Sequence, residues 1–125
     1  MAQSRFASCI EACNSCASAC DHCAIACLAE KDPKPMARCI SLDLDCAAIC
    51  RLAAGYMDRE SELAGRICAV CAEVCEECAA ECEKFDMEHC RLCAAACRRC
   101  AQECRRMAEP AKKREGKSAP GRAAH

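Results

Sequence analysis

The chain has 125 residues, enough for one domain, a net charge of −1, and a hydrophobic fraction made without large side chains: two Phe, one Tyr, no Trp and nineteen Cys. Aromatic content of 2% excludes an ordinary aromatic-filled core, so cysteine, a small hydrophobe when protonated, is the candidate core-filler. An odd cysteine number excludes complete pairing within one chain. The first residues, "MAQSRFASC", hold no apolar signal-peptide core, and no run is long enough to span a membrane. The expected compartment is the cytoplasm, where thiols stay reduced. At this density they point to metal before disulfides.

Residues 4–30 form the first predicted helix. It carries Cys9, Cys13, Cys16, Cys20, Cys23 and Cys27, spaced four, three, four, three, four. That step averages about 3.5 residues, the period of a helix seam that faces a partner helix. "EKDPKPM" then offers Asp32 as N-cap and Pro33 at N1 of a second helix, 33–57, bearing Cys39, Cys46 and Cys50. Asp58 in "GYMDRES" is the next candidate cap, for a helix over 59–84 with Cys68, Cys71, Cys75, Cys78 and Cys82. Asp86 in "KFDMEH" is the last, for a helix over 86–108 with Cys90, Cys93, Cys97, Cys100 and Cys104. Short connections favour antiparallel neighbours, and four helices of this length would each run roughly 37 Å. The expected fold is all-α: an antiparallel up-down four-helix bundle over residues 1–109, with a cysteine-lined core. Residues 110–125 carry +4 against −5 for the rest and hold Pro110, Gly116, Pro120 and Gly121. They read as a disordered basic tail, solvated rather than bound to nucleic acid.

The same rhythm places other residues. Asp43 fills the slot between Cys39 and Cys46, Ala53 and Met57 follow Cys50, Ser61 and Ala64 precede Cys68, Phe6 precedes Cys9 and Met107 follows Cys104. An inward Asp43 would need a partner, a proton or a metal; a slightly rotated helix would leave it solvated. Antiparallel order gathers Phe6, Met57, Ser61 and Met107 at one end. Cys27, Met36, Cys39, Cys82, Met87, His89 and Cys90 gather at the other, which has the soft groups of an intake port. His22 lies off the seam and His125 on the tail.

Sulfur selects Cu(I), Zn(II) or iron–sulfur clusters. A Zn(II) ion in four thiolates leaves −2, and a stack of these in a dry lumen is costly. Cu(I) with one bridging thiolate per ion gives a neutral array of any length. Cysteines four apart on a helix, about 5–6 Å between Cβ atoms, suit near-linear coordination. "CDHC" is not a haem-attachment motif, ferredoxin spacing is absent, and no nucleophile–base pair or phosphate loop is present. No enzyme activity is expected. The alternatives are a zinc-buffering, metallothionein-like protein and a thiol-rich structural or redox bundle.

These residues resemble one known family. The four helices bearing C-x-x-x-C, "LDLDCAAIC" in the second and "EHCRLCAAAC" opening the fourth make residues 5–108 similar to the bacterial copper storage proteins, cytosolic branch. The resemblance implies many Cu(I) ions held mainly by thiolates, a homo-tetramer, an open end with His or Met and a more hydrophobic closed end. It assigns all nineteen cysteines as ligands and places His89, with Met36 and Met87, at the open mouth. Asp43 takes a slot near the copper column and departs there from the family's pattern. No nucleic acid or membrane partner is implied, and the copper donor and recipient are not specified.

Overall fold

The computed structural model describes the backbone of residues 4–122 and the side chains of residues 5–108. It contains helix α1 (Ser4–Leu28), a 3-10 turn (Lys34–Met36), α2 (Ala37–Asp58), α3 (Ala64–Cys82) and α4 (Glu88–Arg122). Helix α1 packs against α2 and α4, and α3 packs against the same two. The four helices therefore close a ring around one axis, the expected up-down bundle, with no strand among the described residues.

The caps differ from the sequence reading. Asp32 caps no α-helix: the 3-10 turn begins after Pro33, and Met36 stands at the N-cap of α2. Asp58 is the last residue of α2, and α3 starts only at Ala64, after Leu63. The intervening turn passes through Glu60 in a left-handed conformation (φ 53°). The hydroxyl of Ser61 accepts the Leu63 N–H at 3.0 Å. Asp86 precedes α4 by two residues, and its carbonyl accepts from Arg91 at 2.9 Å. Pro33 and Pro35 explain the first case, since two prolines in three residues favour a tight turn before a regular helix. Helix α4 continues to Arg122, through most of the segment expected as a disordered tail. The side chains of 109–125, His125 included, lie outside the described residues.

The core has two layers of small groups. All nineteen cysteines are buried on the axis. Beside them Ala12, Ala17, Ala47, Ala72, Ala79, Ala94 and Ala101 are buried at the helix contacts. Alanine lets the backbones approach closely, so the space left on the axis is the width of sulfur rather than of leucine. Ion pairs tie every neighbouring pair of helices: Arg51 to Asp21 (2.8 Å), Arg38 to Glu81 (2.7 Å), Arg99 to Glu11 (3.4 Å) and Arg98 to Glu83 (2.8 Å). Arg105 also grips Glu76 with two nitrogens. The steps from Glu83 to Glu76 and from Arg98 to Arg105 are each one heptad, in opposite directions. Exposed pairs contribute little stability, but this matched spacing fixes the α3–α4 register and so which thiols face one another.

Candidate metal centre

Each thiol finds its neighbours by the seam rule. Along one helix, Cys16/Cys20, Cys23/Cys27, Cys46/Cys50, Cys71/Cys75 and Cys100/Cys104 bring their Sγ atoms to 3.9–4.0 Å. Between helices several pairs approach more closely. Cys16 reaches Cys97 at 3.6 Å and Cys46 at 3.7 Å, Cys46 reaches Cys75 at 3.6 Å, and Cys50 reaches Cys100 at 3.7 Å. Several quartets have all four sulfurs within 4.8 Å of one another, among them Cys13/Cys71/Cys100/Cys104, Cys16/Cys46/Cys50/Cys75 and Cys23/Cys27/Cys39/Cys90. Cys16/Cys46/Cys50/Cys75, Cys16/Cys20/Cys46/Cys97 and Cys20/Cys78/Cys93/Cys97 overlap in turn, Cys50 joins them to Cys71 and Cys100 at 3.7 Å, and Asp43 bridges Cys78 and Cys93 to Cys82 and Cys39, so the donors form one connected column. No disulfide links any of them.

One end is stoppered. Phe6 and Met57 are buried there, and the Cys68 thiol donates to the Met57 thioether at 3.7 Å. Cys9 lies against Cys104 at 3.6 Å just inside. Ser61 and Met107, expected at this end, are only half-buried.

The other end presents an imidazole. His89 Nδ1 lies 3.6 Å from the sulfurs of Cys23 and Cys90 and 3.9 Å from that of Cys27. Its side chain is 14% exposed. Cys39 meets Cys82 at 3.5 Å beside it. Met36 is buried and Met87 half-buried against the same core. Burial pushes the thiols of Cys27 and Cys90 up from their ordinary value. Deeper in, Cys20 and Cys97 are also raised, first by their hydrogen bonds with Cys16 and further by burial.

Asp43 is on the axis and fully buried. Its Oδ1 accepts from Cys78 at 3.2 Å, Cys93 at 3.3 Å and Cys82 at 3.7 Å, and Oδ2 faces Cys39 at 3.9 Å. Loss of water, with Cys93 and Cys78 alongside, pushes its carboxyl up to about 10, so the group holds a proton at neutral pH. His22 is exposed and makes no part of the column.

Two polar residues were not anticipated. Glu30 Oε2 lies 3.0 Å from His89 Nε2. The signal for it existed, since Glu30 is one three-residue step beyond Cys27 on the seam of α1. Glu81 is buried off the seam, where Lys84 at 3.0 Å and Arg38 at 2.7 Å hold its carboxyl below the usual range. Nothing in the cysteine rhythm points to it.

The comparisons with known proteins agree with this architecture. Copper storage protein 3 from Bacillus subtilis in its apo form superposes with a TM-score of 0.76 at 47% identity, over 82% of this chain and 98% of that one. The Cu(I)-bound form of that protein gives a TM-score of 0.80 at 48% identity, over 82% and 97%. A cytosolic copper storage protein from Streptomyces lividans, carrying five coppers, gives 0.82 at 38% identity, over 86% and 95%. The cysteine-rich protein YhjQ of Bacillus subtilis is 48% identical over 66 residues, a match spanning 53% of this chain and 61% of that relative. The family model described as copper storage protein matches residues 2–109, so this chain belongs to the copper storage protein family.

Proposed function

We propose that this protein is a cytosolic store for Cu(I), which it binds as many ions through thiolates along the bundle axis. The observation that carries the reading is the continuity of the column: sulfur contacts of 3.6–4.0 Å run from Cys9 at the stoppered end to Cys93, and Asp43 joins Cys93 to Cys39, whose quartet with Cys23, Cys27 and Cys90 lies at the His89 mouth. Soft thiolates favour Cu(I), and bridging leaves the array neutral however many ions it holds. Quartets with no common member are present as well, so the choice against zinc rests on charge: four thiolates around each Zn(II) would leave −2 per site in a dry lumen. The cytosolic assignment follows the Streptomyces relative, and no described helix is long and apolar enough to cross a membrane.

All nineteen cysteines serve as ligands in this reading. His89, Met36 and Met87 receive the ion at the mouth, and Asp43 adds a carboxyl oxygen to the column at the level of Cys78 and Cys93. The role is storage rather than catalysis. Assembly into a homo-tetramer is supported by the exposed Ile25 (67%), Leu28 (56%) and Leu44 (53%) on α1 and α2, which a partner subunit would cover.

Anaerobic titration with Cu(I) against a competing chelator should reach on the order of one ion per thiol. Saturation at one or two ions would overturn the reading. Four or five Zn(II) resisting Cu(I) would replace it by zinc buffering. Loading should also release protons. The apo thiols at Cys20, Cys27, Cys90 and Cys97 are held protonated, and a thiolate forms only as its proton leaves. A weakly buffered solution at pH 7 should therefore acidify as Cu(I) binds, and apparent affinity should rise with pH. Loading without acidification would contradict thiolate ligation.

A further inference from the structure

We infer that Glu30 is a positioning residue for copper intake: it holds the proton of His89 on Nε2, so that the Nδ1 lone pair faces the first three thiols of the column. The inference rests on the reading above that Cu(I) enters past His89. It is carried by the two sides of one ring. Nε2 lies 3.0 Å from Glu30 Oε2, and Nδ1 lies 3.6–3.9 Å from the sulfurs of Cys23, Cys27 and Cys90.

A carboxylate accepts hydrogen bonds and offers none. Beside it, the neutral imidazole keeps its hydrogen on Nε2, and Nδ1 is left as an acceptor and a ligand. The other tautomer would set a nitrogen lone pair against the carboxylate oxygen. It would also turn an N–H toward the place where a metal must arrive. Glu30 is itself held. It stands two residues past the end of α1, and its backbone N–H donates to the Cys27 carbonyl at 3.2 Å. The residue that ends the α1 seam is thus tied to the last thiol of that seam. The carboxylate supplies no ligand to the column; it fixes which atom of the ring does.

Outer partners of this kind change metal affinity by about 10–100-fold when removed. The test uses the full-length apo protein and three variants. Two-bond proton–nitrogen NMR should show His89 as a single Nε2–H tautomer in the wild type and in Glu30→Gln, whose amide oxygen still accepts. In Glu30→Ala the two tautomers should mix. Stopped-flow mixing with a Cu(I) donor complex under anaerobic conditions should give a first phase about ten-fold slower for Glu30→Ala. Glu30→Gln should load at close to the wild-type rate, with the circular dichroism of all forms unchanged. An unchanged tautomer in Glu30→Ala, or an unchanged rate despite mixed tautomers, would overturn the inference. His89→Ala separates the two ideas. Wild-type loading by that variant would overturn intake past His89 itself, whereas slow His89→Ala with fast Glu30→Ala would overturn only the role of Glu30.

Discussion

Replacing Asp43 by Asn is expected to stabilise the metal-free protein at neutral pH and to leave it nearly unchanged, or weaker, at pH 5. The folded state pushes this carboxyl up to about 10, whereas in the unfolded chain it ionises near the model value of 3.8. Between those values the folded chain binds the extra proton, so stability falls as pH rises, by about 1.4 kcal/mol per unit. By pH 7 the accumulated cost is about 4 kcal/mol relative to acid conditions. Asparagine never ionises and keeps an oxygen for Cys78 and Cys93, but its amide hydrogens meet sulfur rather than good acceptors, at a cost of about 1–3 kcal/mol. The net gain at pH 7 is then about 1–3 kcal/mol. Urea unfolding of both forms from pH 5 to 7.5 measures it. Parallel pH profiles would show that Asp43 is ionised in the folded chain.

The second large effect lies at the other end of the column. Phe6→Ala should lower the stability of the apo protein by about 3 kcal/mol, the lower part of the range for removing a buried phenyl ring. Phe6 is the largest apolar side chain at the stoppered end, only 5% exposed, with the Arg5 guanidinium 4.8 Å from its ring centre. The same change should open a second route to Cys9 and Cys68, so that Cu(I) uptake becomes less dependent on His89. Denaturation midpoints check the first part. Stopped-flow loading of Phe6→Ala with and without His89→Ala checks the second, and full retention of the His89 dependence would show that Met57 and its neighbours close the end unaided.

The bundle and its axis were readable because cysteine is both the core residue and the chemical group. One spacing rule placed every thiol, and it also placed Asp43, Ala53, Ala64, Met57 and Phe6, all buried. The helix ends were less legible. Asp32, Asp58 and Asp86 have the side chain of an N-cap, but capping depends on where the backbone leaves the helix. Pro33, Pro35 and the left-handed Glu60 decide that instead. Asp43 could be placed but not titrated from the sequence, because its proton depends first on how completely the closed bundle strips it of water and then on the thiols that surround it from α2, α3 and α4. Glu30 and Glu81 show the remaining gap. Each is defined by a partner on another helix, and the seam alone does not pair helices residue by residue.

The stopper of Phe6 and Met57 has a consequence for time as well as for structure. A narrow tube that filled and emptied only past His89 would behave as a stack, in which what is filed last is withdrawn first. Ions beside Cys23, Cys27 and Cys90 would exchange with a chelator quickly, while those beside Cys9 and Cys68 wait for everything above them to leave. One protein would then act as a fast buffer when full and a slow reserve when nearly empty, with depth along a single axis setting the lifetime of each ion.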